Sequence, residues 1–255
     1  MKRRDLILAS AGILVPALAR SAQPCPPPQV NVSGGGSAST TCATTPTTRT
    51  FNTSFNATEN PISESGAWVR LTTTYWHNVR TVGGNAVPSA NASSDRSVFD
   101  DCYARLTGTW GPDQELVATV YKGAASEGEV ELCMRVTDTT SSVRLYECGF
   151  NVNGLTFIAR WNGAPADYTM LAESPNGLIN TGGLWTGDRV RARISGQTIS
   201  MWYARAASPT SWILIGSVAD SSSQRLISGS PGIGFFARSP LSLDYGYQDL
   251  GVTQL

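Results

Sequence analysis

Short runs in which apolar and polar residues alternate dominate the chain from residue 51 to its end. Glycine, asparagine, serine and threonine separate these runs, and such alternation is typical of half-buried β-strands. No segment keeps the helical apolar period for three turns. The pattern predicts an all-β domain over residues 51–255, either a sandwich or a closed barrel.

One predicted hairpin joins residues 130–137 to residues 144–151. Its register, in which residue 138 faces residue 143, places Cys133 opposite Cys148, so we expect a disulfide between them. Cys102 is the odd cysteine in this scheme, and its pairing stays open. One face of the first strand is apolar and should point to the core, so the opposite face is expected to look outward. That outward face carries Glu127, Glu129, Glu131, Arg135 and Tyr146.

A second predicted hairpin turns at residues 195–196 and places Trp202 opposite Arg189 on its outer face, beside Arg191 and Arg193. An aromatic ring beside a charged row suits sugar stacking or the recognition of a carboxylate by arginine. The alternative is a solvated sheet face on which Trp202 covers arginine stems. The candidate ligand-binding residues of the two hairpins are Arg135, Tyr146, Arg189, Arg191 and Trp202.

The first residues predict an export signal. Lys2, Arg3 and Arg4 precede an apolar run over residues 6–18, which is too short to span a bilayer. We expect residues 1–22 to be a signal peptide that exports the chain to the periplasm or beyond, with no transmembrane anchor in the mature chain. The arginine pair resembles a twin-arginine signal, so the general secretory and the twin-arginine routes both stay open.

Residues 23–50 are rich in proline, glycine, serine and threonine and hold almost no large apolar side chain, which predicts a linker. Cys25 and Cys42 flank its glycines. In an oxidising compartment we expect these cysteines to close a loop that stabilises the folded chain by about 3 kcal/mol.

Charge and histidine content narrow the function classes. Lys+Arg 19 balance Asp+Glu 19, so no net charge attracts nucleic acid at long range, and we expect no nucleic-acid partner. His77 is the only histidine, which argues against a Ser-His-Asp triad and a histidine-based zinc site. Asp244 and Asp249 carry oxygens suited to calcium, but no motif fixes a cage. We therefore assign no metal site and expect no cofactor.

Glu127, Glu129 and Glu131 alternate along one predicted strand and so share one face. Retaining glycosidases use two carboxylates about 5 Å apart, and side chains two positions apart on a strand roughly allow that arrangement. The alternative is a structural row of carboxylates, solvated or paired with Arg135.

Several short motifs mark turns and strand starts. They are DQE at 113–115, EVEL at 129–132, RWNG at 160–163, GDRVRA at 187–192 and GSPGIG at 229–234. With these motifs, residues 51–255 resemble the concanavalin A-like lectin/glucanase superfamily, and most of all its bacterial laminin-G-like jelly rolls. The resemblance implies a two-sheet antiparallel jelly-roll sandwich with a concave outer face where relatives hold glycans.

The same resemblance extends to the glutamate strand, which is similar to the Glu-x-Asp-x-Glu strand of retaining jelly-roll glucanases. It implies that Glu127 is the nucleophile, Glu129 its helper and Glu131 the acid/base. This chain departs from that pattern by placing Glu129 where the family has aspartate, and the middle residue of the strand tunes its two neighbours at close range.

We expect the partner to be a polysaccharide or another glycan, and three function classes follow. We expect first a secreted, non-catalytic carbohydrate-binding or adhesion module. The alternatives are a secreted glycoside hydrolase or polysaccharide lyase that uses the glutamate strand, and a structural envelope or matrix protein.

Overall fold

The computed structural model describes residues 48–72, 76–89, 101–123, 128–174, 182–236 and 244–255. They belong to one compact unit, Thr48–Leu255. In these ranges the chain forms fifteen β-strands and no helix, which confirms the predicted all-β class. The described ranges therefore contain no helix that is long and apolar enough to cross a membrane.

The fifteen described strands join into one mixed sheet. They are β1 (Thr50–Thr53), β2 (Trp68–Val69), β3 (Trp76–Val82), β4 (Asn85–Pro88), β5 (Asp101–Leu106), β6 (Gln114–Lys122), β7 (Glu129–Asp138), β8 (Val143–Asn151), β9 (Thr156–Gly163), β10 (Tyr168–Ser174), β11 (Arg189–Ser195), β12 (Thr198–Ala204), β13 (Ile213–Ala219), β14 (Ser230–Phe236) and β15 (Tyr245–Gln254). The order is β10-β9-β8-β7-β14-β5-β3-β4-β15-β6-β11-β12-β13, with β1 beside β15 and β2 beside β5. Strands β3 and β5 run parallel. Because β13 at one end of the order contacts β9 and β10 at the other, the sheet curls until it is nearly barrel-like.

The main core lies inside this curled sheet. Every second residue of β11, and of β6 as far as Val120, points inward and is fully buried, for example Leu116, Val190 and Ile194. The same cluster holds Leu132 and Phe150 from the opposite half of the sheet. Burial of each large apolar side chain contributes about 1.5–3 kcal/mol, so this shared cluster holds the two halves together.

Strands β7 to β9 are buried on both faces. A second, smaller cluster covers their other face and includes Trp76, Tyr103 and Trp161. The ring of Trp76 meets that of Trp161 at 4.9 Å and that of Tyr103 at 5.1 Å between centroids, both edge-on, a geometry that aromatic quadrupoles favour. The predicted outward face of β7 is therefore wrong: Glu129 is 4% exposed and Glu131 1%.

A β-bulge at Arg135 changes the register of the hairpin β7–β8. Asp138 faces Val143, as predicted, but beyond the bulge it is Met134 that faces Tyr146. Arg135 itself has a φ of 51°. The extra residue on β7 displaces every later pair by one position.

The displaced register separates the two cysteines of this hairpin. Cys133 faces Glu147, and Cys148 faces Leu132. Cys133 belongs to the smaller cluster and Cys148 to the main core, so their side chains lie on opposite faces of the sheet. Both are buried thiols outside any disulfide, and the predicted Cys133–Cys148 bridge is wrong.

The hairpin β11–β12 turns one step later than predicted. The turn occupies residues 196–197, where Gly196 has a φ of 58° that glycine adopts without steric cost. As a result Arg191 faces Trp202, whereas the sequence predicted Arg189 at that place. The inner face of this hairpin is apolar and fully buried, which leaves the predicted outer face on the outside.

Candidate functional site

The outer side of strands β6, β11 and β12 carries charged and aromatic side chains, which we call the Arg–Trp surface. Alternation places them there, because their neighbours along each strand are buried in the core. A tryptophan from the segment before β13 joins them. The Arg–Trp surface consists of Glu115, Arg189, Arg191, Arg193, Trp202 and Trp212.

Arg191 lies at the centre of the Arg–Trp surface. Its Nε and Nη2 both donate hydrogen bonds to Oε2 of Glu115, at 3.0 and 2.5 Å. Its guanidinium carbon lies 4.7 Å from the ring centroid of Trp202 and 5.7 Å from that of Trp212. Each cation–π contact contributes about 0.5–1 kcal/mol at an exposed site. Together these contacts fix the orientation of the guanidinium.

Arg193 and Arg189 flank this centre. Nε of Arg193 donates to Oε2 of Glu115 at 2.7 Å, and the Arg193 side chain is 41% exposed. Arg189 stacks on the ring of Trp212 at 5.4 Å, and its Nη1 donates to the carbonyl oxygen of Pro209 at 3.2 Å. One carboxylate therefore binds two of the three guanidinium groups, and the surface keeps a positive excess.

A second candidate site lies on the other side of the sheet from the main core, on strands β5, β7 and β8. We call Asp101, Glu131 and Glu147 the carboxylate cluster, because oxygens of the three lie within 4.8 Å of one another. All three are at most 1% exposed, and Nε1 of Trp161 donates a hydrogen bond to Oε2 of Glu147. Gly234 on β14 makes room for the cluster, since a Cβ there would lie 2.2 Å from Oε2 of Glu131.

The carboxylate cluster also sets the chemistry of its surroundings. Carboxylate oxygens are the ligands that calcium and magnesium prefer, and carboxyl groups this close are also compatible with a retaining pair, whose members lie about 5 Å apart. Burial raises the pKa of the nearby Cys133 thiol, and the charges of Glu131 and Glu147 raise it further. This thiol therefore stays protonated near neutral pH and is a poor nucleophile.

Two of the predicted ligand-binding residues belong to the core. Arg135 is 3% exposed and Tyr146 1%. The hydroxyl of Tyr146 donates to Oδ2 of Asp220 at 2.8 Å and accepts from the backbone N–H of Leu226 at 3.0 Å. Burial, with the hydrogen bond to Asp220, raises the pKa of Tyr146 to about 12. The structure thus corrects the prediction that these two side chains face outward.

Of the predicted catalytic residues, Glu129 and Glu131 lie on β7. The bulge and the strand order bring Glu131 together with Glu147 and Asp101. The two aspartates suggested for calcium bind protein groups: Asp249 accepts from the backbone N–H and the hydroxyl of Thr119, both at 2.9 Å, and Asp244 accepts from the hydroxyl of Tyr121. Three predicted site residues lie outside the described ranges: Cys25, Cys42 and Glu127.

Sequence reasoning missed four residues of the two candidate sites. Glu115 has an alternation signal on β6, but its partners become visible only when β11 is placed beside that strand. The proximity of Asp101 and Glu147 to Glu131 likewise becomes visible only when the order of the strands is known. Trp212 precedes a strand that is exposed along most of its length, and nothing in the local pattern points to its role.

Comparison with known proteins leaves the family open. No family model and no curated protein matches the chain. Among solved structures, the carbohydrate-binding module CBM66 from Bacillus subtilis is 12% identical over 76% of this chain and 95% of its own, with a TM-score of 0.46. The CBM2 module of the evolved Dit protein of Lactobacillus casei BL23 phage J-1 is 13% identical over 81% and 96%, with a TM-score of 0.48. A Bacillus licheniformis β-glucanase is 10% identical over 80% and 94%, with a TM-score of 0.42.

Proposed function

We propose that the protein is a glycan-binding module that holds a polysaccharide on the Arg–Trp surface and does not cleave it. The observation that carries the proposal is the fixed guanidinium of Arg191, held by Glu115 and by the rings of Trp202 and Trp212 on an outward face. A donor array that is already ordered loses little conformational entropy when a ligand binds. Aromatic edges beside such donors suit the mixed apolar and hydroxyl surface of a sugar.

The experiment is retention of the purified protein on a panel of insoluble and soluble polysaccharides. We expect retention on at least one of them, and a loss of about tenfold in affinity in Trp202→Ala or Trp212→Ala, because each substitution removes an anchor of Arg191. Trp185→Ala is the matched control, since Trp185 is 58% exposed and stacks on Lys122 away from this surface. Undiminished retention of both variants, or retention of none of the polysaccharides by the wild type, would contradict the proposal.

We also propose the organisation in which this module works. Residues 1–22 are a signal peptide that is removed on export, residues 23–50 are a linker closed by a Cys25–Cys42 loop, and residues 51–255 are a two-sheet jelly-roll sandwich. The lysine and arginine residues before a short apolar run support export, and the contact of β13 with β9 and β10 supports two facing layers. The mass of the protein recovered from the periplasm or medium tests the cleavage point.

A second candidate function is a glycoside hydrolase that works through the carboxylate cluster. The observation in its favour is the pair Glu131 and Glu147, whose oxygens lie within 4.8 Å, near the spacing of about 5 Å in retaining enzymes. Their burial argues for a structural role, because a polymer has to reach an acid and a nucleophile together. Sugar release that Glu131→Gln and Glu147→Gln both abolish, while Glu173→Gln on β10 retains it, would establish this function in place of the first.

A further inference from the structure

The charges of the Arg–Trp surface are unbalanced. Arg189, Arg191 and Arg193 face outward from β11, and Glu115 is the one acidic residue that faces them from β6. Strands β12 and β13 contribute no charged residue. Two further carboxylates near this surface already have partners: Asp249 on β15 binds the backbone and hydroxyl of Thr119, and Asp113 before β6 pairs with Arg135. Three guanidinium groups against one carboxylate leave an excess of two positive charges.

Arginine side chains already stack on both tryptophan rings of this surface. The guanidinium of Arg191 stacks on Trp202 and Trp212, and that of Arg189 stacks on Trp212 as well. On the stacked side of each ring, a ligand therefore meets the edges of a guanidinium group before it meets the flat face of the ring. Recognition through those edges depends on hydrogen-bond acceptors, and a guanidinium binds anionic acceptors more strongly than neutral ones.

Arg193 offers more accessible donors than Arg191, whose side chain is 20% exposed. Nε of Arg193 is used by Glu115, whereas Nη1 and Nη2 donate to no residue within the described ranges, and the side chain is 41% exposed. Two parallel N–H groups of this kind match the two oxygens of a carboxylate or a sulfate. Arg189 lies four residues away on the same strand, which is about 13 Å. Two such positions suit anionic groups that repeat along a polymer.

We propose that the ligand of the Arg–Trp surface is an anionic polysaccharide, whose carboxylate or sulfate groups bind Arg193 and Arg189. This inference rests on the proposed function, which requires only that some glycan binds there. The inference adds the chemical class of that glycan. The bound polymer neutralises the excess charge of the surface, so affinity falls as salt concentration rises.

The experiment compares each anionic polymer with its neutral counterpart. Polygalacturonate is tested against its carboxyl-reduced form, and carrageenan against its desulfated form, so the two arms distinguish carboxylate from sulfate. We expect binding of one native polymer to exceed binding of its neutral form by about tenfold, and Arg193→Gln to lower the affinity for the native polymer by about tenfold. Arg225→Gln, at an exposed site away from this surface, is the control and should leave the affinity unchanged.

The other outcomes separate the inference from the proposed function. Equal binding of the native and neutral polymers, with Trp202→Ala still defective, overturns the anionic substrate class and leaves glycan binding standing. Equal affinity for single-stranded DNA and for the polysaccharides also overturns it, because charge alone would then explain binding. If no polysaccharide of either kind binds, the proposed function fails and the inference fails with it.

Discussion

Arg135 lies in the left-handed region of the backbone inside strand β7, with a φ of 51°. Its side chain turns into the interior, where Nε donates to the carbonyl oxygen of Pro112 at 2.7 Å and the two Nη atoms donate to those of Leu226 and Gly196 at 2.5 and 2.8 Å. Burial lowers the pKa of Arg135, and the charge of Asp113 partly opposes that effect. A single buried guanidinium thus ties the bulge to three other segments.

We predict that Arg135→Met lowers the free energy of unfolding by about 3 kcal/mol, because the carbonyl oxygens lose their donor inside the protein. Urea unfolding followed by tryptophan fluorescence measures it. Arg225→Met, at an exposed position, should change the unfolding free energy by less than about 0.5 kcal/mol. An Arg135→Met protein with an unchanged unfolding free energy and weaker glycan binding would contradict this structural role. It would indicate instead that Arg135 contacts the ligand.

At the scale of elements, a polar tether joins the two ends of the sheet order. Asp220 follows β13 and accepts hydrogen bonds from Tyr146 on β8 at 2.8 Å and from Nη1 of Arg160 on β9 at 2.6 Å. Burial alone would raise the pKa of Asp220, but hydrogen bonds from Ser222, Arg160 and Tyr146 outweigh it and lower that pKa below its ordinary value of 3.8. The tether therefore stabilises the fold while Asp220 is ionised.

We predict that Asp220→Asn destabilises the protein by about 3 kcal/mol at neutral pH, since it leaves Arg160 buried without its counter-charge. A carboxyl with a lowered folded-state pKa contributes fully above its unfolded-state pKa and loses that contribution as pH falls through the folded value. The difference in unfolding free energy between wild type and variant should thus stay constant from about pH 7 to pH 5 and shrink below about pH 4. A difference that grows on acidification would contradict this role.

Some elements of the fold can be predicted from the sequence and others cannot. The inner faces of β11 and β12 follow from alternation because one side of that hairpin is buried and the other is not. The bulge on β7 has no sequence signal, since a positive φ is expected of glycine or asparagine and falls here on Arg135. Because β7 and β8 are buried on both faces, alternation could not show that Glu131 and Glu147 lie inside. The carboxylate cluster depends on the strand order, which local patterns do not contain.

At the scale of the whole molecule, the curled sheet has thiols on both of its faces. Cys133 and Cys148 are buried on opposite faces, and burial raises the pKa of each. Cys102 on β5 is a buried thiol as well. None of the three should be reactive in the folded protein.

We predict that the exported protein, denatured without reductant, shows three alkylatable thiols, and that the folded protein shows almost none over the same time. Three thiols correspond to a closed Cys25–Cys42 loop, because the chain has five cysteines. Intact-mass measurement after alkylation counts them. Five thiols would contradict the loop, and rapid alkylation of the folded protein would contradict the burial of the other three.

The most direct measurement follows the indole N–H resonances of the seven tryptophans by NMR, as an oligosaccharide from a retained polysaccharide is added. Each resonance is assigned with a Trp→Phe variant. We expect the signals of Trp202 and Trp212 to shift with ligand, and the signals of Trp161 and Trp76, beside the carboxylate cluster, to stay in place. Shifts confined to Trp161 and Trp76 would contradict binding on the Arg–Trp surface and place the ligand at the carboxylate cluster.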